Sequence, residues 1–336
     1  MKRSLNVTVM MDEGWIPSDD PDFSRDSQKS QTERHVVASL RALGHNVRIL
    51  GVGYDVQAIV HDLSEHPPDI VFNLAEQFGD NRQLDKNVAA ILELMEVRFT
   101  GTGSAGLMLC RNKALCKQLL GLHRIRVPGF VMLPPAKSVR HPKRLRFPLI
   151  VKPLYEDGSE GISRASIVNN DAELTERAGW VHERLHQVAL AEEYIDGREL
   201  YVGVLGNKRL SVLPPRELSF GDSHNNGPTI ATYRVKFDAK YRQKWQIEYG
   251  FADLPADVTA NVARVAKRTF RLLQLQDYCR IDLRLTAENK IVILEVNPNP
   301  DIAYGDEFAE AAEHAGIAYN RLIDRILSLA LRRYES

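Results

Sequence analysis

The chain has 336 residues, 44% apolar and 26% charged, enough for two domains or three small ones and typical of a soluble globular protein. Lys plus Arg and Asp plus Glu number 44 each, so no global field directs it to nucleic acid or to a membrane. No stretch approaches the ~20 apolar residues of a membrane span, and Cys110, Cys116 and Cys279 form no CxxC pair.

Asp12 and Glu13 cut the apolar run 7–11 short of a signal-peptide core, and a reducing cytoplasm is the expected compartment. Residues 5–10 predict a first strand, followed by a long polar loop carrying Asp12, Glu13, Asp19, Asp20, Asp22 and Asp26. A helix is expected over 30–43, with Val36, Val37, Leu40 and Leu43 on one side and Gly44 ending it. Runs 47–50, 70–73 and 97–100 read as further buried strands separated by helices. This βαβ rhythm implies a parallel sheet whose ligands bind beyond the carboxyl ends of its strands.

After Arg111 the pattern changes. A helix over 113–120 leads to strands near 128–133, 148–152 and 161–166. A helix near 171–186 precedes strands 189–194 and 199–205. The stretch 214–249, rich in Pro, Gly, Asn and aromatic residues, reads as a functional lid or a disordered segment. A helix over 256–273, a hairpin pairing 278–285 with 290–296, and one final helix complete the chain.

Gly101, Gly103 and Gly106 match the G-x-G-x-x-G pattern after a strand. A dinucleotide site also needs an acidic residue ~20 positions later for the ribose. None occurs between Glu96 and Glu156, so that reading fails. The same gap holds twelve Lys and Arg residues over 98–152, a block suited either to a polyanion or to a plain solvated basic face. Aromatic residues that could stack bases are sparse in it, which disfavours single-stranded nucleic acid. His182 and His186 sit four apart on a helix without a third ligand nearby, so a solvent-facing pair is expected rather than a metal site.

The hairpin YCRIDLRL/KIVILEVN carries the chemistry. Side chains alternate, so Ile281, Leu283 and Leu285 share one face and Arg280, Asp282 and Arg284 the other. Pairing Ile281 with Leu294 makes the apolar sets coincide, sets Arg280 opposite Glu295, and leaves Asp282 diagonal to it with Asn297 one pleat onward. Two carboxylates and an amide carbonyl suit Mg²⁺, which completes its shell with water and phosphates. Taken alone, the same residues could be a cross-strand ion-pair ladder on a surface.

Five segments settle which reading applies: DIVFNLAEQFGD, RFTGTGSAGLMLCRNKALCKQLL, PLIVKPLYEDGSEGIS, LAEEYIDGREL and RIDLRLTAENKIVILEVNPNP. In this order and spacing, from Asp69 to Pro300, the sequence resembles an ATP-grasp ligase of the D-alanine–D-alanine ligase type. The resemblance implies an α/β fold, α+β in part: a Rossmann-like parallel sheet over 1–105, then two subdomains over 106–205 and 206–336 that sandwich ATP. By position, Lys113 and Lys152 would contact ATP phosphates, and Gly158, Ser159 and Gly161 would form the loop folded over them. Glu192 and Ile195 match residues at the adenine, and Glu199 the ribose carboxylate. Lys236 matches the lysine of a mobile loop. Asp282, Glu295 and Asn297 match a two-magnesium site that could also take Mn²⁺, and Arg280 matches the residue that stabilises an oxyanion.

The substrate end departs from the family. After Asn297 the loop reads PNPDIAYGDE, placing Asn299 and Asp301 where a carboxylate should be welcomed. Ala75 and Glu76 replace a His-Gly pair. The expectation is therefore an ATP-dependent carboxylate–amine ligase with an acyl-phosphate intermediate and rewritten pockets, with Glu76, Asn299 and Asp301 as candidate substrate residues. Its partners would be amino acids, amines or peptides, one of them cationic, with no nucleic acid or membrane involved and homodimerisation as the family's habit. The competing readings are a genuine D-alanine–D-alanine ligase and a non-catalytic nucleotide-binding protein.

Overall fold

The computed structural model describes residues 4–24, 31–135, 137–221 and 230–335. It begins with β1 (Asn6–Asp12), α1 (Gln31–Ala42), β2 (Asn46–Val52), α2 (Val56–Glu65), β3 (Ile70–Asn73) and α3 (Asp85–Leu94). The strands form a parallel sheet in the order β2-β1-β3, with Val7 paired to both Val47 and Ile70. Both faces of β1 are buried, as a parallel strand between helices requires. Val7, Val9 and Met11 pack with Val36 and Leu40, whereas Met10 points the other way, into a cluster with Ile59 and Leu92. The strand expected over 97–100 is reduced to a single parallel bridge of Phe99 to Val71.

Next come α4 (Ser104–Arg111), α5 (Lys113–Leu122), β4 (Phe130–Leu133), β5 (Leu149–Pro153), β6 (Ile167–Val168), α6 (Asp171–Leu185) and β7 (Ala189–Glu193). These strands make an antiparallel sheet, β4-β7-β5-β6, backed by α6 through Leu174, Ala178 and Val181. The strand expected over 161–166 is instead a turn and a 3-10 segment, Arg164–Ser166. Gly158, Ser159 and Gly161 take left-handed φ values of 60°, 63° and 69°, which no strand can contain.

The third sheet holds β8 (Arg198–Gly206), β9 (Leu210–Val212), β10 (Arg216–Phe220), β11 (Ile247–Phe251), β12 (Tyr278–Leu285) and β13 (Ile291–Asn297), in the order β11-β10-β8-β12-β13 with β9 beside β8. A domain boundary at 205 would fall inside β8, and the change of sheet lies at residues 194–197. Nor is 214–249 an unstructured link. Besides β10 and the start of β11 it contains α7 (Tyr233–Phe237) and α8 (Ala239–Lys244), with residues 222–229 outside the described set. Then α9 (Ala256–Leu272) lies under the sheet, its Val258, Val262, Ala266 and Phe270 recurring every fourth residue and buried against Ile281 and Leu283. The single final helix expected is two, α10 (Glu307–His314) and α11 (Tyr319–Tyr334). Leu322, Ile323, Ile326 and Leu327 carry α11 back onto the core of the first sheet.

Candidate active site

The hairpin β12–β13 places its polar residues on one face as expected, but in a different register. Arg280 lies opposite Asn297, Ile281 opposite Val296 and Asp282 opposite Glu295, and an irregularity follows at Leu294. Beyond it Leu283 pairs with Ile293. The bulge changes the alternation of β13: Val296 and Ile293 both reach the core under the sheet, while Leu294 lines the cleft. A one-residue slip would take Ile281, Leu283 and Leu285 out of that core at roughly 1.5–3 kcal/mol each. That exceeds any cross-strand polar pair, at roughly 0.2–1 kcal/mol, so apolar burial fixes which face the charges share.

On that face the Asp282 carboxylate accepts from Arg280 Nε at 2.8 Å and Nη2 at 3.1 Å, and from Asn297 Nδ2 at 3.3 Å. Arg280 also reaches Glu307 at 3.2 Å. Glu295 meets Lys113 Nζ at 2.7 Å. Burial opposes ionisation of Glu295, but Lys113 and Lys152 outweigh it and hold the carboxyl well below its usual range. Among the described residues no group of three His, Cys, Asp or Glu side chains could hold a metal ion. The candidate set is two carboxylates and an amide, which suits magnesium if phosphates and water complete the shell.

Above this face, β5 and β7 bring Lys152 and Glu192 into the cleft, and α5 brings a lysine that the motif reading passed over. Lys117 Nζ stands 2.9 Å from Glu192 Oε1 and Lys152 Nζ 2.8 Å from Oε2, all three groups buried. Each carboxylate oxygen thus has its own ammonium partner. Burial favours the neutral carboxyl, but the two lysines reverse that and hold Glu192 ionised. On Lys117 burial prevails, aided by Lys152, and lowers the ammonium's pKa. Lys113, Lys117 and Lys152 thus face two carboxylates, leaving an excess of positive charge. Lys117 also donates to the carbonyl of Leu294 at 2.6 Å, at the bulge. The only sequence signal for it was its position one helical turn after Lys113.

The remaining candidates fall in place around the same cleft. Ser159, Ile195, Glu199 and Lys236 line it with Leu294 and Glu295. Glu199 accepts from Tyr201 Oη at 2.9 Å and from Arg284 Nη2 at 2.6 Å, so Arg284 and Tyr201 join the site unannounced by any motif. Lys236 sits on α7 rather than in a bare loop. The hydroxyl of Ser159 donates to the carbonyl of Ala231 at 2.6 Å, joining the glycine loop to the segment that leads into α7. A Cβ on Gly158 would meet nothing within 4 Å, whereas on Gly161 it would strike Leu185 at 2.8 Å, so Gly161 is fixed by packing as well as by φ. Asp157 of this loop is held by Arg111 at 2.5 Å.

Asn299 Oδ1 accepts from Thr102 N at 2.9 Å, binding the loop after β13 to the Gly101–Gly103 turn. The N–H groups of that turn are taken by the protein's own acceptors. Gly101 N donates to Asp277, Gly103 N to Gln276, and Ser104 N at the head of α4 to Glu93 at 2.9 Å. His182 is half-buried rather than solvent-facing, its Nε2 2.8 Å from the carbonyl oxygen of Leu133.

The acidic loop divides. Asp20 pairs with buried Arg34, Asp19 and Asp22 lie on the surface, and Asp26 is outside the described residues. Asp12, at the carboxyl end of β1, accepts from Glu76 N at 3.1 Å and Gln77 N at 3.3 Å. Burial pushes its carboxyl up to about 6 against those donors. Burial, then Asp301 and Asp12, raise Glu33 to about 7. Glu76 is exposed, yet enclosure of its carboxyl by the surrounding protein, with Asp157, Asp12 and Asp301 adding repulsion, raises it to about 7. Asp306 rises to about 8 through burial and a hydrogen bond shared with Asp301. Carboxylates of α1, β1 and the loop after β13 therefore repel one another, with Arg280 acting on Asp306.

A family model described as the D-ala D-ala ligase C-terminus matches residues 121–328. A D-alanine–D-alanine ligase of Rhizorhabdus wittichii is 30% identical over 98% of both chains. An uncharacterised Sinorhizobium fredii protein, y4sG, is 32% identical over 89% of this chain and 87% of its own. The crystal structure of a Bacillus anthracis D-alanine–D-alanine ligase complexed with ATP superposes with a TM-score of 0.75 at 19% identity, covering 99% of this chain and 100% of that one.

Proposed function

Because the chain belongs to the D-alanine–D-alanine ligase family, and so is an ATP-dependent ligase that forms carbon–nitrogen bonds, we propose that it joins a carboxylate to an amine of its own, one of the two substrates carrying extra positive charge. The observation that carries the reading is the convergence of Lys113, Lys117 and Lys152 on Glu192 and Glu295, directly over Asp282 and Asn297. Three buried ammonium groups against two carboxylates leave a site short of negative charge, and a triphosphate supplies it.

ATP enters with its base along residues 192–195 and its ribose at Glu199, and its phosphates draw the three lysines off their carboxylates. Glu295, so freed, would hold magnesium together with Asp282 and Asn297, two ions by analogy and Mn²⁺ as a substitute, which would neutralise charge on the phosphates. The carboxylate of the first substrate attacks the γ-phosphorus, releasing ADP and leaving an acyl phosphate. The amine of the second substrate attacks the acyl carbon. Arg280, aimed across the same face, stabilises the oxyanion, and inorganic phosphate leaves as the amide forms.

The substrate class is inferred from the carboxylates. Asp12, Glu33, Glu76 and Asp306 are raised in pKa by burial, Asp301 adds repulsion on the last three of them, and Asp306 feels the charge of Arg280. An ammonium or guanidinium there relieves that repulsion; a second substrate's bare carboxylate would add to it. No helix of the described residues is long and apolar enough to cross a membrane, and a cytoplasmic site of action, with its supply of ATP, fits this chemistry. The test is ADP release over pairs drawn from amino acids, dipeptides, diamines and polyamines, with Glu295→Gln as control. Turnover with D-alanine alone would replace the cationic reading by a genuine D-alanine–D-alanine ligase. ATP binding with no turnover for any pair would favour a non-catalytic nucleotide-binding protein.

A further inference from the structure

The basic block over 98–152 is only partly absorbed by the nucleotide cleft. Lys113, Lys117 and Lys152 turn into it, and Arg111 is held by Asp85 and Asp157. Arg124 and Arg126 go elsewhere. They meet Arg264 and Arg268 of α9 around a cavity of about 550 Å³. The cavity lies at the free edge of β13, where Ile293 N donates to the carbonyl of Arg126 at 2.9 Å.

No carboxylate lines this cavity, and among the described residues none of its four guanidinium groups has a carboxylate partner. Their hydrogen bonds go to neutral acceptors: Arg264 to Asn261 Oδ1 at 2.6 Å and Arg268 to the carbonyl of His123 at 3.0 Å. All four arginines are exposed, and each keeps its charge at any physiological pH. Arg264 and Arg268, one turn apart on the same helix face, repel each other, and Arg124 holds a left-handed φ of 57° that an L side chain seldom adopts. The floor between them is apolar, formed by buried Ile125 and Ile291 with Val265.

We propose that this groove is a second ligand site, distinct from the nucleotide cleft, for a small organic molecule carrying two or more phosphoryl groups. Planar guanidinium forks match phosphoryl oxygens two at a time, and several phosphoryl groups engage what a single one could not. The concave apolar floor takes a carbon skeleton. The inference is independent of which substrates the ligase joins.

The test is calorimetric titration of the full chain with its cleft saturated by a non-hydrolysable ATP analogue and excess magnesium. Fructose 1,6-bisphosphate and inorganic tripolyphosphate are the two probes. One further equivalent of the bisphosphate binds, weakened at least tenfold in Arg264→Glu/Arg268→Glu and in Arg124→Gln/Arg126→Gln, while affinity for the analogue is unchanged. A stronger response to the bisphosphate assigns a role to the apolar floor, and an equal response to tripolyphosphate assigns recognition to the phosphoryl groups alone. No further equivalent, or binding that neither double variant weakens, overturns the proposal. So does a single-stranded oligonucleotide that outcompetes both probes. If the charge-reversed variant loses the analogue through misfolding, the milder glutamine pair decides.

Discussion

Lys117 and Glu192 form an ion pair 2.9 Å long in which the lysine side chain is 3% exposed and the glutamate 1%. Lys152 sits on the carboxylate's other oxygen. Removing one partner leaves charge stranded in a low-dielectric cavity, at about 3 kcal/mol or more where nothing else compensates. Lys117→Met therefore lowers unfolding free energy by about 2–3 kcal/mol, Lys152 offsetting the rest, and weakens binding of an ATP analogue at least tenfold. Urea unfolding and calorimetry read the two effects. A variant as stable as the parent with full analogue affinity would remove Lys117 from the site.

Glu295→Gln keeps the shape of the β13 side chain but strips the charge opposed to Lys113. ADP release falls roughly 100-fold or more, the scale on which loss of a charged group aimed at the reacting centre is felt. Asp282→Asn behaves alike, because the two residues face each other across the hairpin. Circular dichroism should report an intact fold in both, and the magnesium concentration for half-maximal turnover rises.

Asp301→Asn/Asp306→Asn separates substrate choice from ATP chemistry. Both residues lie in the loop after β13, and Asp306 feels both Asp301 and Arg280. The value of kcat/KM for a cationic substrate falls roughly 10- to 100-fold, as expected when one or two charge-assisted contacts are lost. KM for ATP stays within about twofold. Equal loss toward cationic and neutral substrates would count against the cationic reading.

The upward-shifted carboxylates set a pH dependence. Asp12, Glu33, Glu76 and Asp306 have folded pKa values of about 6, 7, 7 and 8, against ordinary values of 3.8 or 4.5. Between those limits the native state binds more protons than the unfolded chain, so their contribution to stability falls as pH rises from about 5 to 8. Glu295, whose pKa is lowered, contributes stability that is already complete above its ordinary pKa and does not alter that slope. The unliganded enzyme's Tm accordingly drops from pH 5.5 to pH 8, and Glu33→Gln/Asp306→Asn flattens the drop. A cationic substrate raises Tm more at pH 8 than at pH 5.5.

Gly161→Ala meets two obstacles at once, a φ of 69° and a Leu185 methyl 2.8 Å from the new Cβ. Gly158→Ala meets only the first, with nothing within 4 Å. The former destabilises by about 2 kcal/mol and the latter by about 1 kcal/mol, and thermal unfolding ranks the pair.

Local pattern carried much of the architecture. Ile70–Asn73 was legible as a strand because a short apolar run bounded by turn residues has one reading, and Arg280, Asp282 and Arg284 were placed on one face by alternation alone. What failed needed knowledge of partners. The offset of the hairpin depends on the bulge at Leu294, which serves Lys117 as much as the core. Lys117 looked like an ordinary helix lysine until Glu192, 75 positions on, came to meet it. Residues 161–166 alternate like a strand, but the left-handed turn at 158–161 is set by packing under Leu185. Asp306 was invisible because nothing in its surroundings before folding forces it against Asp301.

The return of α11 onto β1 bears on how the chain is made. Val7, Val9, Val36 and Leu40 wait for Ile323, Ile326 and Leu327, which leave the ribosome long after them. During synthesis the first parallel sheet must stand with one flank uncovered until residues 319–334 have emerged, exposing sticky surface that invites chaperones. The first hundred residues are thus not an independent folding unit, and expressing them alone should yield aggregates unless the helix of residues 319–334 is supplied in trans.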